Sequence, residues 1–178
     1  MTNDPQADDI RKQVQERVDQ EREQLPPVPG PDAPAPIDSK FILECLFSNE
    51  LGDGTLFARL YRDRFVYCKN TQEWFEWTGH FWQRDVMNHS LAAVEGVVDC
   101  YLDEYRLAGD EISKLASGVD EERDEKVKKL KARQEALLSR VRQLRSDKRR
   151  TACLKFAHTI ENPLAIKGEE FDNKPMLF

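Results

Sequence analysis

Three histidines and four cysteines are the residues with the most chemistry to offer in this chain. His80, His89 and His158 stand apart from one another, and Cys45, Cys68, Cys100 and Cys153 form no Cys-x-x-Cys pair. Zinc sites draw their ligands from closely spaced Cys and His. The one combination worth naming is Cys68 with His80 and His89, which could meet near a shared sheet. Gly52-Asp53-Gly54 suggests a phosphate or metal loop, but no Lys-Ser/Thr follows and no carboxylate cluster surrounds it. A turn, with Asp53 or Thr55 capping the next helix, is the simpler reading. There is no Gly-x-Ser-x-Gly, no phosphate-binding loop and no dinucleotide turn. Nor is there a paired acidic motif of the polymerase kind. The residues offer no catalytic, cofactor or metal site.

What remains is phosphate contact. From Lys126 to Arg150 the chain carries Lys126, Lys128, Lys129, Lys131, Arg133, Arg140, Arg142, Arg145, Lys148, Arg149 and Arg150. Of these, Lys126, Lys129, Arg133, Arg140, Arg145, Lys148, Arg149 and Arg150 are the candidate nucleic-acid contacts. A competing explanation lies in the elements that carry them. Leu91, Val94, Val98, Tyr101, Tyr105, Ala108, Ile112 and Leu115 recur at steps of three and four. After a break at Ser117-Gly118 and a capping Asp120, the rhythm resumes at Val127, Leu130, Leu137, Val141 and Leu144, with Gln134 at a polar seam position. Two such helices joined by a short glycine turn predict an antiparallel, coiled-coil-like hairpin over 88–150. Each arm would reach on the order of 40 Å at ~1.5 Å per residue. Glu95, Asp99, Asp103, Glu104, Asp110 and Glu111 make the first arm acidic, so opposite charges flank the seam. Glu122–Lys126, Asp124–Lys128 and Glu125–Lys129 are favourable four-apart pairs. The cluster from Arg145 to Arg150 is the part such pairing explains least.

The aromatic residues gather in Arg64 to Asp85. Trp74, Trp77 and Trp82 lie there with Phe65, Tyr67, Phe75 and Phe81. Short alternating runs, broken at Asn70-Thr71 and Thr78-Gly79, predict three short antiparallel strands. Exposed aromatics beside cations would make a stacking platform for single-stranded nucleic acid. Here Glu73, Glu76 and Asp85 oppose Arg64, Lys69 and Arg84, so the block reads as a packing nucleus, with Phe65, Trp74, Trp77, Phe81 and Trp82 as its core. A sheet this small needs helices over one face. FILECLF (41–47), opened by a capping Asp38 or Ser39, and LFARLYRD (56–63) supply two. Cys153, Phe156, Ala157 and Ile160 supply another, which Asn162-Pro163 ends. The fold class is therefore α+β: a small antiparallel, aromatic-rich meander packed by helices, with the long hairpin attached.

With 178 residues, 34% of them charged, and a net charge of −6, the chain reads as a soluble acidic protein. No apolar run is long enough to span a bilayer, and MTNDPQADD is neither a secretory signal nor a transit peptide. A cytoplasmic location, reduced thiols and no membrane partner follow as expectations. Residues 1–37 read as an acidic segment and a proline-rich linker (LPPVPGPDAPAP), largely unpacked. The domain is expected over 38–178. Met176-Leu177-Phe178 is an abrupt apolar end that suggests a longer protein.

ELGDGTLFARLYRDRFVYCKNTQEWFEWTGHFWQRD resembles the segment just upstream of the helicase in phage and plasmid primase–helicases of the satellite-phage (P-four) type, a segment named for the poxvirus D-five protein. The counterparts of that pattern are Glu50, Gly52 and Asp53, then Arg59, then Trp74, Trp77, Gly79, Trp82 and Asp85. FDNKPMLF resembles the Phe-Asp-x-x-Pro-x-Leu-Leu segment that precedes the ATPase domain. The likeness covers 41–86 and 151–178 and leaves the hairpin outside it. It implies an accessory linker or collar domain, in front of a superfamily-three helicase that unwinds DNA at replication in a bacterial or phage-infected cell. ATP and Mg would belong to that helicase, which is not in this chain. The implied partners are DNA, the downstream helicase domain, or further copies in a ring. A stand-alone interaction module using the hairpin, and a DNA-binding module using its basic arm, are the alternatives.

Overall fold

The computed structural model describes residues 37–115 and 121–168. Everything described belongs to the compact unit Ile37–Phe178. The expectations for 1–36, for the glycine turn at 117–120 and for the FDNKPMLF segment lie outside the described residues.

The order of elements is α1 (Ser39–Phe47), α2 (Asn49–Leu60), β1 (Phe65–Cys68), β2 (Glu73–Trp77), β3 (Trp82–Arg84), α3 (His89–Leu115), α4 (Glu121–Leu144), α5 (Asp147–Ala157) and β4 (Ala165–Ile166). Asp38 caps α1 by accepting the Phe41 N–H at 2.8 Å. Helix α1 buries Ile42, Cys45 and Leu46, the three-and-four spacing of one helical face.

The Gly52-Asp53-Gly54 turn is not formed. Helix α2 runs straight through it, and all three residues are buried. The glycines serve close packing. A Cβ on Gly52 would stand 1.8 Å from the Cys45 carbonyl oxygen of α1, and one on Gly54 would stand 2.4 Å from Cβ of Phe156 on α5. Helix propensity disfavours glycine by about 1 kcal/mol. Two helices that cross α2 at backbone distance override that preference.

The sheet has the order β3-β2-β1-β4. Strands β1, β2 and β3 form the expected antiparallel meander. A fourth strand, β4, adds to β1 in parallel, with Tyr67 opposite Ala165. Successive side chains on a strand point to opposite faces. Phe65, Tyr67 and Trp74 therefore face the helices. Phe65 is fully buried, Trp74 packs on the core, and Phe57 of α2 meets both rings at 6.2 Å. Trp77 lies three residues from Trp74 and so falls on the other face, half-buried against Trp82 at a ring distance of 5.4 Å. Phe81 is 53% exposed and stands outside the core. It sits in the β2–β3 turn, where its carbonyl accepts the Thr78 N–H at 3.0 Å. One aromatic nucleus in the sequence is two layers in the fold, with one ring left over.

Helices α3 and α4 are antiparallel: Glu104 pairs with Arg133, and Glu95, nearer the start of α3, pairs with Arg145, nearer the end of α4. The amide of Gln134 donates to the Tyr105 carbonyl across the seam at 3.1 Å. The base of the hairpin is part of the core through Val94, Val97, Val98, Tyr101, Leu137, Val141 and Leu144. The arm ends earlier than 150. Ser146 accepts the Arg149 N–H and caps a new helix, so Lys148, Arg149 and Arg150 ride on α5. No described helix is long and apolar enough to cross a membrane.

Candidate functional site

Asp53 is fully buried at the centre of α2. Its Oδ1 accepts from Arg140 Nη1 at 2.7 Å and from the Tyr101 hydroxyl at 3.0 Å. Its Oδ2 accepts from Arg149 Nε at 2.8 Å. Arg140, also buried, donates further to the Asn49 carbonyl at 2.9 Å, the Leu46 carbonyl at 3.0 Å and Asn49 Oδ1 at 3.1 Å. These acceptors lie at the corner between α1 and α2, where Asn49 has a φ of 54°. The α1 carbonyl end is electronegative, so one guanidinium serves both a helix terminus and a buried carboxylate. Arg149 reaches Glu50 Oε1 at 3.0 Å. Two acids and two arginines balance, and one buried knot ties α2, α3, α4 and α5 together.

The knot sets the chemistry around it. Burial and the Asp53 charge push the Cys153 thiol and the Tyr101 hydroxyl well above their ordinary range. Burial, Asp53 and Glu44 push Cys45 up to about 12. A thiol held protonated is neither a nucleophile nor a metal ligand.

The candidate cations separate by position. Arg133 is paired with the buried Glu104, Arg140 and Arg149 with Asp53, and Arg145 and Arg150 with Glu95. Lys129 pairs with Glu125 at 2.9 Å, both exposed. Lys126 and Lys148 are exposed and carry no ion pair among the described residues. The structure gathers Arg140 and Arg149 into the knot and Arg145 and Arg150 at Glu95, and it leaves the lysines scattered.

Cys68, His80 and His89 do not meet. Cys68 is buried in β1, and His80 is exposed in the hairpin turn. His89 instead joins Glu76 and Asp85, a trio with the donor set for a divalent cation. All four carboxylate oxygens are already committed. Glu76 accepts from Arg64 Nη2 at 2.8 Å and is paired with His89 Nδ1. Asp85 accepts the N–H groups of His89 at 2.7 Å and Ser90 at 2.8 Å, capping α3. Burial raises the Glu76 carboxyl, but the hydrogen bonds from His89 and Arg64 outweigh it and hold the group below its ordinary range. The trio builds the fold.

The tryptophan pattern resolves the same way. Trp77 and Trp82 face each other across β2 and β3, and Gly79 turns the hairpin at a φ of 97°. The Asp85 N–H donates to the Trp74 carbonyl at 2.9 Å while its carboxylate caps α3. Trp-x-x-Trp-x-Gly-x-x-Trp-x-x-Asp is thus a tight hairpin with a helix start attached. What reading by residue missed is the buried, arginine-paired role of Asp53, which reads in the sequence as a turn or cap residue. Its signal was an acid between two glycines in a stretch whose flanks, NEL and TLFARL, suit one continuous helix.

No curated protein and no solved structure matches the chain. The family model described as "D5 N terminal like" matches residues 54–178. The chain therefore belongs to the D5 N-terminal-like family, the N-terminal domain of D-five-like primase–helicase proteins.

Proposed function

We propose that this chain serves as the linker or collar of a replicative primase–helicase, holding a rigid helical arm against which the ATP-driven motor assembles or DNA is positioned. The observation that carries the reading is the buried knot of Asp53, Arg140 and Arg149. It fixes the arm to the sheet-bearing body inside a domain of that family, and the acids and arginines that might have done chemistry are used in fixing it. ATP and magnesium belong to the motor, outside this chain, and the setting is the cytoplasm in which the DNA is copied. The purified 178-residue chain is expected to hydrolyse no ATP above buffer. Added to the helicase portion of such a protein, it should raise the fraction assembled into rings in sedimentation. Strong hydrolysis by the chain alone would overturn the reading.

Direct DNA contact is the weaker alternative, because five of the six arginines of the basic run, all but Arg142, are paired with acids of the same chain. If Lys126 and Lys148 do touch phosphates, neutralising both should reduce the salt slope of binding by about two. An interaction module that works through the arm without a helicase is the other alternative, and ring assembly separates it from the main reading.

A further inference from the structure

The face of the arm turned away from the body carries charges that the chain itself does not answer. Glu104 pairs with Arg133 on the body side, and Arg140 enters the body. Nine residues make two and a half helical turns. Glu95 stands nine from Glu104, and Arg142 nine from Arg133, so both mark the opposite face. Continuing at steps of three and four, Asp99, Leu102, Arg106 and Asp110 run along it on α3, and Leu138, Glu135 and Lys128 on α4. The charged members of these rows are exposed, and the two leucines are half-buried. We propose that this face docks a second copy of the chain, the two arms packing about a two-fold axis that runs along them.

Charge complementarity selects that occupant. The pairs Glu104–Arg133 and Glu95–Arg145 fix which residues of the two helices share a height. To within about one helical turn, Asp99 is level with Arg142, Arg106 with Glu135, and Asp110 with Lys128. The α3 row reads negative, positive, negative, and the α4 row reads positive, negative, positive. Within one chain the rows stand at opposite edges of the face. Asp99, Asp110, Lys128, Glu135 and Arg142 have no ion pair among the described residues. Arg106 meets Asp103, an exposed pair of the solvent-screened kind. A two-fold axis along the arms lays α3 of each copy over α4 of the other, antiparallel, so every match is made twice. Leu102 and Leu138 then meet their counterparts at the centre of a four-helix arrangement, with the charges on its flanks setting partner and orientation. The sign reversal at Arg106 and Glu135 is what a phosphate track lacks, since a nucleic acid would meet repulsion at Glu135. The proposal rests on the arm's own charges and goes beyond the collar reading.

The test is sedimentation of the full 178-residue chain over a concentration series, with Asp99→Arg and Arg142→Asp made separately. The parent should show a monomer–dimer equilibrium that weakens as salt rises. Each variant alone sets like charges against each other at two symmetric places, so its dimer should be about tenfold weaker or worse. Both positions are exposed, and Tm should hold within about 3 °C. An equimolar mixture of the two variants should recover a dimer within about threefold of the parent's, because each altered position then faces an opposite charge. A parent still monomeric at about 0.2 mM would overturn the proposal. So would variants that dimerise as the parent does, or a mixture no more dimeric than its components. Duplex DNA that dissolves the dimer, and binds Arg142→Asp more weakly, would assign the face to phosphates and overturn it too. All of these results concern the chain alone, so ring assembly with a helicase portion stands or falls separately.

Discussion

The two ends of the basic arm carry the same charge and do opposite things. At the base, Arg140 is buried in α4 and donates to four acceptors on α1 and α2, while Arg149 completes the pairing of Asp53 and Glu50. Toward the free end, Lys126 and Lys129 lie exposed, and the Glu125–Lys129 pair there is the solvent-screened kind. The chain marks the change itself. From 126 to 144 the cations of α4 are lysines at 126, 128, 129 and 131 and then arginines at 133, 140 and 142, while Arg123 stands nearer the free end. A guanidinium presents five donors in a fixed plane and tolerates partial desolvation, which a compact ammonium does not. Where the arm enters the body, the cation that is buried is an arginine, Arg140.

The contrast can be broken most forcefully at Arg140. Arg140→Ala leaves Asp53 half-compensated in a dry site and should cost about 3–5 kcal/mol. Arg140→Lys should recover little of it, since an ammonium cannot reach both the carboxylate and the α1 carbonyls. Thermal unfolding followed by circular dichroism reads both. Gly52→Ala comes next. Its Cβ would collide with backbone, which cannot swing aside as a flexible side chain does, and the expected loss is about 3 kcal/mol, the upper part of the usual overpacking range. A similar loss at both positions would locate the arm's anchorage in the α1–α2 corner.

A smaller effect belongs to His158, stacked on Tyr67 at 3.8 Å with Lys69 Nζ 2.9 Å from its Nδ1. Burial and the Lys69 charge hold its pKa below the ordinary 6.5. Above that value the imidazole is neutral in both states and its contribution is complete. As pH falls through it, the unfolded chain takes up the proton first, and stability declines until the folded imidazole protonates as well. Tm should therefore drop between pH 7.5 and 5.5 more steeply in the parent than in His158→Gln. Least affected is the free end of the arm. Lys126→Ala and Lys129→Ala should each change stability by less than about 0.5 kcal/mol.

The same contrast explains how far the fold could be read in advance. Hairpin and meander were legible because their periods are local: steps of three and four on the arms, alternation and turn residues in the sheet. Asp38 announced α1 for a similar reason. The Gly52-Asp53-Gly54 helix was hidden because what makes it favourable is distant, the Cys45 backbone on one side and Phe156 on the other. The division of Trp74 from Trp77 needed the strand register, since their spacing of three has no meaning until it is known to run along an extended chain. Strand β4 lies roughly a hundred residues from its partner β1, beyond the reach of any local pattern. The basic run is plain in the sequence, but which of its cations are paired depends on acids from other elements.

A double-mutant cycle at the knot tests the central claim, that the arginines at the arm's base act as structure. Urea unfolding would be measured for Asp53→Asn, Arg140→Met and the pair together. Each single change should lose about 3 kcal/mol, because it strands a buried charge. The double variant, with both charges gone and Arg149 still facing Glu50, should be at least about 1 kcal/mol more stable than the sum of the singles predicts. Strictly additive losses, or single variants as stable as the parent, would mean that the buried pair does not hold the arm to the body.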